Sequence, residues 1–128
     1  MSTRAPRRAG AALGVAIAVT ACTTAPLLLD EPAVASAVPL PPWESRDVCV
    51  RLGDGDRLEY AFEATEPVAF EIRYREDAAV VAPLVRDPTR ADAGVFLARL
   101  PRDYCLAWEA AAAGALLDYR LRRRRASP

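Results

Sequence analysis

The feature that most restricts this chain is an alternation of apolar and polar residues, with a period of two, from residue 46 to residue 122. Successive side chains of a strand point to opposite sides, so this period marks strands with one buried face. Val48, Val50 and Leu52 share a face against Asp47 and Arg51. Leu58, Tyr60, Phe62 and Ala64 share one against Arg57, Glu59 and Glu63. Val68, Phe70, Ile72 and Tyr74 follow, then Tyr104, Leu106 and Trp108, then Ala115, Leu117, Tyr119 and Leu121. Two less regular runs complete the set. Ala79 to Val85 is interrupted by Pro83 and reads as an edge strand or a bulge, and Gly94 to Leu100 reads as a strand. Gly53-Asp54-Gly55-Asp56, Glu66-Pro67, Glu76-Asp77, the loop around Pro88 and Pro101-Arg102-Asp103 are the turn signals between them. No stretch has helical spacing, and Ala110 to Ala113 is too short to be a helix alone. Seven short strands predict an all-β fold, a small antiparallel β-sandwich of jelly-roll or immunoglobulin-like kind.

Composition removes whole classes of chemistry. All 17 basic residues of the 128 are Arg, and there is no Lys, His, Asn or Gln. Without imidazole there is no hydrolytic triad and no His-ligated metal site, and without Lys there is no Schiff base. The serines beyond residue 22 are Ser36, Ser45 and Ser127, none in a nucleophile elbow. The carboxylates alternate with arginines on outward positions, as a solvated surface does. The chain therefore reads as a non-enzyme that needs no cofactor.

The N-terminus reads as an address. Arg4, Arg7 and Arg8 precede an uncharged run from Ala9 to Ala21, shorter than the roughly 20 residues a membrane-spanning helix needs and right for a signal peptide. It ends in Val19-Thr20-Ala21-Cys22, which resembles the lipobox of bacterial lipoproteins. The resemblance implies cleavage before Cys22 and a lipid anchor on its thiol. Thr23, where an acidic residue would signal retention, implies an outer-membrane location facing the periplasm. The rival reading is a secreted protein cut after Ala35 or Ala37. Five prolines between residues 23 and 43 (Pro26, Pro32, Pro39, Pro41 and Pro42) predict a semi-stiff spacer. Leu27, Leu28 and Leu29 within it graze the bilayer or dock on the domain.

With Cys22 lipidated, Cys49 and Cys105 remain, and an even pair in an exported protein predicts a disulfide. Both fall on outward phases, so the bridge is expected between neighbouring strands on the outer side of one sheet. The expected division is a signal peptide (1–21), an anchored Pro-rich linker (22–43), a sandwich (44–122) and a basic C-terminal tail (123–128).

The aromatic alternation and turn spacing of residues 46–122 also carry a resemblance. Tyr60 and Phe62, Phe70 and Ile72, Tyr104-Cys105-Leu106, Trp108-Glu109, and Tyr119 with Leu121 resemble a GOLD-type β-sandwich, which implies a protein- or lipid-linked interaction module. Glu109 and Ala110 stand where that family usually has Asn. Three features are candidate binding sites. Asp54, Asp56 and Glu59 are oxygen ligands near one turn, a weak calcium candidate beside their plain role in a turn. Trp43, at the edge of the domain, is the aromatic freest to stack on a glycan. Arg122, Arg123, Arg124 and Arg125 form a basic run suited to anionic lipid or another polyanion, or to a solubilising tail. The resulting expectation is an envelope lipoprotein bearing a non-catalytic interaction module, with an envelope protein as partner and no nucleic acid. The alternative is a glycan- or calcium-binding module.

Overall fold

The computed structural model describes residues 25–127; Cys22 and the signal-like segment lie outside them. Six strands follow in order: β1 (Ala33–Leu40), β2 (Ser45–Leu52), β3 (Arg57–Glu76), β4 (Ala79–Leu97), β5 (Arg102–Ala110) and β6 (Ala115–Arg124). Every pairing between them is antiparallel, in the order β1-β6-β3-β5-β2, with β4 on the remaining edge of β3. No helix occurs among the described residues. The expected all-β sandwich is what the chain forms, with the sheet curled so that its inner faces meet.

The curl is made by β3. Residues 57–64 of β3 pair with β6, and residues 68–73 pair with β5. Between these stretches stands Pro67, which has no N–H to give to a ladder. The Glu66-Pro67 signal is thus real, but it marks a corner within one long strand instead of a turn between two. The region around Pro83 and Pro88 behaves the same way. Where β3 advances two residues, from Val68 to Phe70 or from Ile72 to Tyr74, β4 spends three. Each extra residue is a bulge, and each bulge contains a proline, on an edge strand where prolines also block further pairing. These two fusions reduce the seven expected strands to five, and β1, which was not expected, makes six.

The inner faces carry the alternating residues of the sequence. Val50, Leu52, Leu58, Tyr60, Phe62, Val68, Phe70, Ile72, Tyr104, Leu106, Trp108, Leu117 and Leu121 are all buried. Trp108 of β5 stacks on Tyr119 of β6 with ring centroids 5.1 Å apart, and on Phe70 at 5.5 Å. Phe62 meets Trp108 edge-on at 5.9 Å. The aromatic rings therefore fill the space between the layers.

Two boundaries need correction. The segment read as a linker contains β1, paired with β6, with Val38 and Leu40 in the core. Its alternation is hidden by a bulge between Ala35 and Val38, where Ala37 has φ 53° and its N–H donates to Asp118 Oδ1 at 2.7 Å. Ahead of β1, Leu27 pairs with Val50 in parallel sense on the free edge of β2. Its N–H donates to the Cys49 carbonyl and its own carbonyl accepts from Arg51 N, both at 2.9 Å. Leu29 is buried, so the leucine run docks on the domain in part. At the other end, β6 continues to Arg124, and Ala126 N donates to Asp56 Oδ1 at 2.9 Å. The segment is thus fastened, not a free tail: Arg123 and Arg124 pair with β3, and Arg125 and Ala126 are held by Asp30 and Asp56.

Candidate functional site

The molecule has two outer sheet faces. The first covers β2, β5 and the C-terminal half of β3. Cys49 and Cys105 are direct cross-strand partners here and form the expected disulfide. The Cys49 carbonyl and Arg51 N–H point away from β5, toward Leu27. Cys49 and Cys105 are therefore a non-hydrogen-bonded pair, the kind that brings side chains closest together. Arg51 donates to Asp103 at 2.8 Å, and Arg73 donates to Asp47 and, at 2.9 Å, to Glu71. The hydrogen bond and charge of Asp103 hold the Arg51 guanidinium above its ordinary pKa. For Arg73, burial opposes the charge, but Asp47 and Glu71 outweigh it and the net shift is again upward. The arginines at the centre of this face are neutralised by carboxylates within it.

The second face covers β6 and the N-terminal half of β3. The strand phase sets Arg120, Arg122 and Arg124 outward in a row, and register puts Arg57 directly opposite Arg124. Arg124 bonds Glu59. Among the described residues, Arg57, Arg120 and Arg122 have no carboxylate partner. The sequence singled out Arg122, Arg123, Arg124 and Arg125 as one basic run, and the strand divides them. Arg123 points the other way, with its side chain only 11% exposed, and meets Asp30 at 3.4 Å, as Arg125 also does. Arg120 was already legible as an outward residue beside the run, but Arg57 was missed because it joins the row only through pairing.

The weak calcium candidates do not converge. Asp56 is buried, and its two carboxylate oxygens accept from Gly53 N at 2.8 Å and Ala126 N at 2.9 Å. Glu59 is on Arg124, and Asp54 is exposed. The Gly53–Asp56 segment is a turn closed by Asp56 N donating to Gly53 O, with Gly55 at φ 85°, a conformation glycine takes without steric cost. No group of three or more Cys, Asp or Glu side chains is placed to hold a metal ion among the described residues.

Trp43 lies at the opposite end of the sandwich, in the turn between β1 and β2. It is 69% exposed and sits at φ 63°, which costs a bulky residue roughly 1–2 kcal/mol. Its N–H donates to Ala111 O at 3.3 Å. The other candidate aromatics are committed to the interior. Tyr60 donates to Asp92 at 3.0 Å and Tyr104 to the Leu100 carbonyl at 2.7 Å. Burial raises both phenol pKa values, and Asp92 adds to the rise at Tyr60.

The fold and these faces define an all-β domain that meets its surroundings through open sheet surfaces. No family model matches the chain, and no curated protein matches it in sequence. Among solved structures it is similar to the pre-peptidase C-terminal domain of a collagenase from Bacillus anthracis, with a TM-score of 0.54 and 11% identity. That likeness covers 77% of this chain and 91% of the other. At such identity it concerns the fold.

Proposed function

We propose that this protein is a lipid-anchored module of the bacterial cell envelope, one that binds a partner through its surface and carries out no reaction. The observation that carries the binding role is the filled interior. Trp108, Tyr119, Phe70 and Phe62 close the space between the layers, so a ligand has only outer faces to meet. The similar collagenase domain is by its name a domain appended to a peptidase, which accords with an accessory role. The GOLD-type resemblance of residues 46–122 points the same way.

The anchor rests on Val19-Thr20-Ala21-Cys22, and the fold supports it indirectly. Cleavage after Ala35 or Ala37 would remove Leu27, Leu29 and the first half of β1, all of which are built into the sandwich. Cleavage before Cys22 keeps them. Leu27 comes five steps along the chain after Cys22, a reach of at most about 18 Å. The anchor would therefore hold the sandwich close against its membrane instead of on a long spacer. Thr23 favours the outer membrane as that site, facing the periplasm.

The test is intact mass and fractionation of the native protein. A chain beginning at Cys22, carrying acyl groups and lacking two hydrogens, is expected in the membrane fraction, and Cys22→Ser should release it. A soluble chain beginning at residue 36 or 38 would refute the anchor.

A further inference from the structure

We propose that the arginine row of the second face binds an extended, linear polyanion, one whose phosphate, sulfate or carboxylate groups repeat along its length. The inference rests on the reading that this protein acts through its surface, and names the partner's chemistry.

The first support is spacing. Alternate residues of a strand lie about 6.6–6.8 Å apart, so the backbone positions of Arg120, Arg122 and Arg124 follow one another on one face at that interval. Arg57 thickens the row at one end. Pairing with β3 along the whole row, and with β1 as far as Leu121, holds these backbone positions in place, so ligand binding orders less than it would in a free tail. Guanidinium groups match phosphate and carboxylate oxygens through paired N–H donors.

The second support is charge. Four arginines and one carboxylate, Glu59, occupy this part of the face. The two other carboxylates on these strands lie toward the corner, and one of them, Asp118, accepts from Ala37 N. On the disulfide face the central arginines, Arg51 and Arg73, are matched within the sheet, and Arg75 at its end is not. The row is thus left electrostatically open, in a chain that from Cys22 onward carries 14 Arg against 17 Asp and Glu.

The third support is shape. A groove of about 460 Å³ beside the row is walled by Pro32 and Val34 and includes Arg120 and Arg122. It meets at Arg122 a second groove of about 690 Å³, which includes Arg57 and Arg124. Glu59 also lines the first groove, and the two grooves together touch Arg57, Arg120, Arg122 and Arg124, so a chain laid along them meets all four arginines.

Long-chain inorganic polyphosphate is the probe. The full chain, held in an uncharged detergent, would be titrated with it by calorimetry at low and high salt. Saturable binding that weakens with salt is expected. The triple variant Arg120→Ser/Arg122→Ser/Arg124→Ser should bind on the order of 30-fold or more weakly, taking about a factor of three to five per arginine. A second triple variant, Arg46→Ser/Arg75→Ser/Arg99→Ser, removes the same charge from exposed arginines outside the row and should lose less than about fivefold. Circular dichroism and thermal melts establish that both variants are folded. Three results would overturn the proposal: no binding by the unaltered chain at low salt, equal losses in the two triples, or tighter binding to anionic vesicles than to polyphosphate with the same arginine dependence. None of them bears on the mass of the mature chain, so the anchor stands or falls separately.

Discussion

The disulfide face and the arginine face are built from the same residue types on the same kind of sheet, yet they end in opposite electrostatic states. On the first, Arg51 faces Asp103 across β2 and β5, and Arg73 lies between Asp47 and Glu71. On the second, Glu59 stands opposite Arg122 but bonds the neighbouring Arg124, so Arg122 has no ion pair of its own, and Arg57 faces Arg124, a like charge. The difference comes from register. Antiparallel pairing sets Arg51 opposite Asp103 in one layer and Arg57 opposite Arg124 in the other. Like charges placed directly opposite are destabilising, so the second face gives up some stability that the first keeps. The lesson is that one face is closed upon itself and the other is open to a partner.

Removing the staple of the closed face should have the largest effect. The Cys49–Cys105 bridge spans 56 positions of sequence, for which loop-closure entropy gives about 4 kcal/mol. Cys49→Ser/Cys105→Ser should lower the melting temperature by more than about 15 °C. A drop of only a few degrees would show that the closed face is held mainly by its ladder. Next in size is Asp56→Ala. Asp56 is buried and accepts two backbone amides that tie the 53–56 turn to the end of β6. Its loss should cost about 2–3 kcal/mol in denaturant melts and loosen the end of the arginine row. The cost should be the same with or without calcium; rescue by calcium would revive the ligand reading of that turn.

A smaller contrast tests the comparison directly. Arg73→Ala should destabilise by up to about 1 kcal/mol, since it leaves Asp47 and Glu71 side by side. Arg122→Ala should change stability by about zero, because that side chain has no partner to lose. Equal costs would erase the distinction between the faces.

The smallest effect is alkaline. Tyr60 and Tyr104 have folded pKa values raised above the ordinary tyrosine value, chiefly by burial. A raised folded pKa favours the neutral phenol in the native state. That contribution is complete below about pH 10 and is lost as pH rises from there toward the folded values. Tyr60→Phe should flatten part of this decline in melts across that range.

The inward alternation of β2, both halves of β3, β5 and β6 was legible in the sequence, and so were the disulfide and its place on an outer face. These depend on local periodicity and on strand phase, which the residues state directly. β1 was not legible, because the bulge at Ala37 moves its inward positions from Ala33 and Ala35 to Val38 and Leu40. Pro83 was read correctly as the mark of an edge strand or a bulge, but the fusion of strands across Pro67 and Pro88 was not legible, since a proline in a bulge or corner writes the same letters as one in a turn. The arginine row was half legible. Arg122 and Arg124 lie in an obvious run, but Arg57 is 65 positions from Arg122 and joins it only through the register of β3 with β6.

The most direct test of the open and closed faces is a two-dimensional NMR spectrum of the arginine side-chain N–H groups during addition of polyphosphate. The account predicts that the resonances of Arg57, Arg120, Arg122 and Arg124 move together, while those of Arg51 and Arg73 stay in place. Equal movement on both faces, or movement of Arg51 and Arg73 first, would contradict it.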